Sequence, residues 1–198
     1  MKKTFIAVQS ILYVIIIYSI VSPAVNDVPF KFASIVLCAL YAIGLLFGPY
    51  GENNALFLLI RLLTMAADYL LVVLDDFYLE AVALFVCVEI LYGFLIGHNP
   101  ARRLVTLAPL VFFNGSSQQL MYVLAAANLA NLTFSVLDSI HTRKYLWAIG
   151  FALFWCCDFC VGLNNLLPPN NIILLLIWIF YIPSQVILCI GESHYEEK

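Results

Sequence analysis

The sequence predicts an all-α protein, a polytopic transmembrane helical bundle of eight spans with both termini cytoplasmic, and three observations predict it. Hydrophobic residues make up 64% of the chain and charged residues 11%, with a mean hydropathy of +1.01, far above what a soluble domain of 198 residues shows. The apolar residues gather into windows of about 18 to 20, the length a helix needs to cross the hydrocarbon of a bilayer. The breaks between windows are short loops, so residues 1–198 read as a single membrane domain in the cell membrane.

The spans follow in order. Lys2-Lys3 precede the first, 4–21. Its basic start and the following Val21-Ser22-Pro23-Ala24 imitate a signal peptide. The run is nevertheless long for a signal core, and Pro23 is poorly placed for cleavage, so it reads as an uncleaved span. The second, 30–47, opens on Lys31, and the third, 55–74, carries Arg61 and Asp68. A turn at Asp75-Asp76 leads to the fourth, 77–96, with Glu80 near the surface and Glu89 about three turns in. The fifth, 104–113, is about half a normal span and contains Pro109, which suits either a crossing or a re-entrant piece. The sixth is 118–137, the seventh 145–163 and the eighth 171–190.

Basic residues decide the fifth. Lys2-Lys3, Arg102-Arg103 and Arg143-Lys144 all reach the cytoplasm only if the fifth and sixth runs both cross, which gives eight crossings. Arg61, inside a run, is expected to snorkel toward the cytoplasmic side.

Several function classes drop out. The few basic residues form no face that could track a phosphate backbone, so no nucleic-acid partner is expected. There is no Gly-rich phosphate loop, no G-x-S-x-G elbow and no H-E-x-x-H. Cys38, Cys87, Cys156, Cys157, Cys160 and Cys189 lie inside apolar runs as small hydrophobes, and Cys157-x-x-Cys160 has no second half-site. His98, His141 and His194 fall in loops or the tail, so neither a metal nor another cofactor is expected.

The informative residues are the acids in hydrocarbon. Asp68 and Asp158 each stand 13 residues into their runs, and with eight crossings those runs point the same way. The two carboxylates are therefore expected at one depth, and if they share a cavity only one should be ionised. A neutral acid beside an anion is equipment for acid-catalysed hydrolysis. Asn128 and Asn131 share a face of the sixth run, Tyr181 and Gln185 share one of the eighth, and Asn164 closes the seventh. Any of these can also be ordinary interhelical glue.

In order along the chain, Lys31, Ala66-Ala67-Asp68-Tyr69-Leu70-Leu71, Phe85 through Leu91-Tyr92, Phe154 through Asp158 with Gly162-Leu163-Asn164, and Tyr181-x-x-x-Gln185-Val186-Ile187 resemble the YhhN-type lysoplasmalogenase family. The chain departs from the family pattern where that pattern has Gly (here Ala67), His (at or near Glu89) and Ser (here Cys157), and keeps both aspartates. The resemblance implies hydrolysis of the vinyl-ether bond of a lysoplasmalogen, a lysophospholipid drawn from the bilayer, to a fatty aldehyde and a glycerophospho-headgroup. That chemistry needs a general acid to protonate the β-carbon and an anion beside the oxocarbenium ion that water then captures. Asp68 and Asp158 are the expected catalytic pair. Tyr181, Gln185, Asn128 and Asn131 are expected to orient water or a glycerol hydroxyl, and Lys31 to meet phosphate at the outer rim. Glu89, Tyr92 and Asn164 complete the expected substrate-binding set.

The competing class is a small transporter or importer subunit using the same acids as a proton or substrate site, although no repeat relates 1–96 to 97–198. A purely structural protein is the third reading, and it expects each aspartate to have a private basic or amide partner.

Overall fold

The computed structural model describes residues 1–22, 25–47, 54–97, 101–168 and 170–196, without the side chains of 194–196. His98 and the Pro23-Ala24 step lie outside the described residues, as does the His194 side chain. Helices α1 (Lys2–Val21), α2 (Val28–Leu46), α3 (Asn54–Asp68), α4 (Tyr78–Ile96), α5 (Ala101–Leu104), α6 (Ala108–Val111), α7 (Ser117–His141), α8 (Tyr145–Leu166) and α9 (Asn171–Glu196) carry the chain, and no strand occurs among the described residues. A π-helical turn, Tyr69–Val73, continues α3, and a 3₁₀ turn, Val105–Leu107, joins α5 to α6.

Seven helices are long and apolar enough to cross a bilayer, counting α3 with its π turn, which makes this an integral membrane protein. The expected fifth span is instead a broken segment, 101–111, of three short pieces with Pro109 in the last. Proline opens that piece at a position where its missing N–H costs nothing.

Large apolar side chains such as Ile11, Val14, Leu40, Phe94 and Ile149 face outward, where lipid would meet them. The interior is built from Phe57, Ile60, Phe85, Val88, Tyr92, Leu132, Trp147, Phe151, Phe154, Tyr181 and Leu188. Small residues bring backbones together in two places. Gly150 and Gly191 of α8 and α9 lie against Leu188 and Trp147, and a methyl group at either would overlap them. On α4, a Cβ at Gly93 would sit 2.5 Å from Cδ and Nε of Arg103, so the arginine stem lies across bare backbone.

Directions follow from the contacts. Ser135 of α7 donates to Glu89 of α4, and Lys144, just past α7, reaches the carbonyl of Leu95 at the end of α4. Helices α4 and α7 therefore run the same way. The chain between them has to return from one end of the bundle to the other, and its contacts trace that return: Arg103 meets Ser135 and Asp138, then Thr106 meets Asn131 farther back along α7.

A candidate active site

Asp68 is the last residue of α3 before the π turn, and the Tyr181 hydroxyl of α9 donates to its Oδ2. A π turn inserts one residue into the helical ladder and re-aims the side chains around it, and such turns recur at functional sites. Asp68 is buried, and so is Tyr181. Tyr181 stands in a row of rings with centroids 5.7 Å apart: Phe85 of α4, Phe154 of α8, Tyr181 and Trp178 of α9. The row fixes the phenol that holds Asp68.

Asp158 lies one turn beyond Phe154 on α8 and accepts from Nδ2 of Asn128. It is half-buried, whereas Asn128 is buried. Asp158 lies in electrostatic reach of both Glu89 and Asp68, and Glu89 acts on it the more strongly. Cys157, where the family pattern has Ser, senses both aspartates. Asp68 is bonded to Tyr181, whose ring meets Phe154 one turn before Asp158, so the two carboxylates share one region of the bundle, each held by a polar group from a different helix, with no hydrogen bond joining them among the described residues.

The remaining expected site residues divide into two groups. Glu89 is wholly buried, with Ser135 on Oε2 and the Arg103 guanidinium on its backbone carbonyl. Asn131, one turn from Asn128 toward Ser135, donates to Thr106 at 3.1 Å. These residues adjoin Asp158. Gln185 and Tyr92 belong instead to Arg61, whose Nη atoms donate to Gln185 Oε1 and the Tyr92 hydroxyl. Arg61 is buried among them, over the rings of Phe57 and Tyr92, so the expected snorkelling is corrected: a side-chain amide and a phenol inside the bundle satisfy the cation better than a stretched stem would.

Lys31 is buried, paired with Asp27 one turn earlier and stacked on Trp178 at 4.4 Å. The ring links it to Tyr181 and hence to the Asp68 side of the site. Asn164 is half-buried and, six residues past Asp158, lies on another face of α8.

Sequence reasoning missed a buried ion cluster. Arg103 is fully buried and its Nη2 lies 3.1 Å from Asp138, which Arg102 also holds. The available signal was spacing: Asn128, Asn131, Ser135 and Asp138 recur at intervals of three and four, one stripe of α7. Ending the sixth span at 137 hid its last member. Elsewhere, an apolar groove of about 520 Å³ lies between α1 and α2, lined by Val8, Leu12, Pro29, Phe32, Val36 and Leu40 among others, away from the acids. Among the described residues no three His, Cys, Asp or Glu side chains gather as a metal ion would need. Comparison with protein-family models, with curated proteins and with solved structures yields no match for this chain.

Proposed function

We propose that this protein is a membrane-embedded hydrolase that cleaves the vinyl-ether bond of lysoplasmalogens, releasing a fatty aldehyde and a glycerophospho-headgroup, by acid/base catalysis at the pair Asp68 and Asp158. One observation carries the reading: two intramembrane carboxyls from α3 and α8 stand in electrostatic reach of each other, each held by a polar side chain from a third and fourth helix. Like charges repel strongly in a poorly screened interior, so the stable arrangement keeps a proton on one of them. The protonated carboxyl gives its proton to the β-carbon, the ionised one stabilises the oxocarbenium ion, and water adds to the α-carbon as its own proton passes to the carboxylate left by the acid. The hemiacetal then collapses as the proton moves to the glycerol oxygen. Resemblance to the YhhN-type lysoplasmalogenases supports the substrate class. With the return of segment 101–116, the reading also includes eight crossings, both termini in the cytoplasm, and the cell membrane as location.

A structural pair would give each acid a private basic or amide partner. Asp158 has one in Asn128, whereas Asp68 is bonded to a phenol, with the charge of Arg61 two turns away also acting on it while its Nη atoms go to Gln185 and Tyr92. Transport is the second reading, favoured by the polar stripe of α7 that runs from Asp158 to the Arg102 edge.

The test is aldehyde release from a lysoplasmalogen by purified protein in detergent, with the ester-linked lysolipid as control. Turnover that disappears in both Asp68→Asn and Asp158→Asn, in protein that remains folded, is the expected result. Full activity in either variant sinks the paired-carboxylate mechanism, and no aldehyde from the parent leaves transport as the better reading.

A further inference from the structure

The stripe of α7 presents more hydrogen-bonding capacity than the protein uses. Glu89, Asn128 and Asn131 are at most 4% exposed, and Glu89 Oε1, Asn128 Oδ1 and Asn131 Oδ1 have no hydrogen-bond partner among the described residues. Their other polar atoms are taken: Asn128 Nδ2 by Asp158, Asn131 Nδ2 by Thr106, and Glu89 Oε2 by Ser135. Asn128 and Asn131 are three residues apart and Ser135 four farther on, so the acceptors line one strip of helix. The strip closes on itself, because Glu89 is the carboxylate that acts most strongly on Asp158, the partner of Asn128. An unsatisfied acceptor inside a membrane span costs several kcal/mol, and a site with two to four convergent polar atoms is what a buried water requires.

We infer that Glu89, Asn128, Asn131 and Asp158 enclose a buried water site between α4, α7 and α8, and that this site supplies the water consumed in hydrolysis. The site stands on its own geometry, while its catalytic role rests on the hydrolase reading. It also divides the roles of the two aspartates. Tyr181 donates to Asp68 and Arg61 adds positive charge there, which favour the carboxylate, whereas the like charge of Glu89 favours a proton on Asp158, so Asp158 is the acid and Asp68 the anion beside the oxocarbenium ion. The Asp158 proton goes to the β-carbon. The oxygen of water then bonds to the α-carbon while its proton passes to Asp158, and the hemiacetal hydroxyl gives up its proton as the bond to glycerol oxygen breaks and that oxygen is protonated. One water is consumed and no oxidant or reductant takes part. Asp158 thus regains from water the proton it gave to the β-carbon, and Asp68 stays ionised throughout. Arg103, whose Nη1 bridges Ser135 and the Glu89 carbonyl, closes the site toward the Arg102 edge.

Rapid X-ray hydroxyl-radical labelling of the detergent-solubilised protein in ¹⁸O water, read by mass spectrometry, detects side chains next to bound water. Val88 and Leu132 are both fully buried beside the strip, and Ile16 is equally buried on α1. Label at Val88 and Leu132 but not at Ile16, lost in Asn131→Leu together with aldehyde release, is the expected result. Asn131→Ser, which keeps a hydroxyl for Thr106 but removes the carbonyl, gives the same loss if the leucine variant fails to fold. No label in the parent overturns the water site whatever the aldehyde assay shows. Label that survives both Asn131 variants overturns the assignment to these residues. Label in a parent protein that makes no aldehyde sinks the hydrolase reading and the catalytic role, and leaves the water site standing.

Discussion

Replacing Asp138 with leucine removes the carboxylate that is hydrogen-bonded to a guanidinium completely out of solvent. Arg103 is 0% exposed, and Asp138 is its carboxylate partner at 3.1 Å, with Ser135 and the Glu89 carbonyl as neutral acceptors. Breaking a buried pair from one side costs roughly 3–5 kcal/mol, because the remaining charge keeps its desolvation penalty. The second arginine adds little. The Arg102 side chain is 37% exposed, where a solvated pair contributes about 0–1 kcal/mol. For a chain of this length each kcal/mol moves the melting point by about 2–4 °C, so Asp138→Leu should melt roughly 6–20 °C below the parent. Tryptophan fluorescence during heating in detergent reads this directly, Trp147 lying near that end of the bundle. The double variant Arg103→Leu/Asp138→Leu should recover most of the loss, since an apolar pair replaces a buried ionic one at little cost. An Asp138→Leu protein melting within about 2 °C of the parent, or a double variant less stable than the single, refutes the clamp.

Other outcomes follow from single contacts. Tyr181→Phe keeps the ring row and removes the donor to Asp68, worth about 1.5–3 kcal/mol for a charged acceptor; aldehyde release should fall by about 10- to 100-fold with little change in melting. Gly93→Ala meets the Arg103 stem and should destabilise by roughly 1–3 kcal/mol, whereas Gly162→Ala, with nothing within 4 Å of the new methyl, should be neutral or gain up to about 1 kcal/mol. Comparable melting points for the two alanine variants would argue against the close approach. A cysteine introduced at Gly115 should react with a membrane-impermeant thiol reagent in intact cells and one at Arg143 only after the membrane is opened, and both reacting under the same condition removes the eight-crossing topology.

The long spans were legible because hydropathy alone marks about 20 residues of hydrocarbon, and the structure puts helices over seven of the eight expected runs. Asp68 and Asp158 stood out because charge in an apolar run is expensive. Partners were harder to read. Arg61 finds Gln185 124 positions away, and no local spacing announces that pair. Arg103 is the instructive miss. A basic residue at the edge of an apolar run looks like a cytoplasmic anchor, and only a glycine on one helix and an aspartate at the end of another turn it inward. Likewise Lys31 has the composition of an open rim cation but is occupied by Asp27 and Trp178.

The parallel course of α4 and α7 has a consequence for how the protein is made. The stretch that returns the chain between them has too few apolar residues to enter a bilayer on its own, and it begins with two arginines. Its polar partners, Asn131, Ser135 and Asp138, all belong to the helix synthesised next. On the eight-crossing reading, the stretch therefore has to wait at the membrane surface until α7 emerges and offers it a surface to fold against. Insertion of this protein is then not a simple N-to-C succession of spans, and a ribosome stalled before residue 138 would hold a chain whose middle has yet to cross.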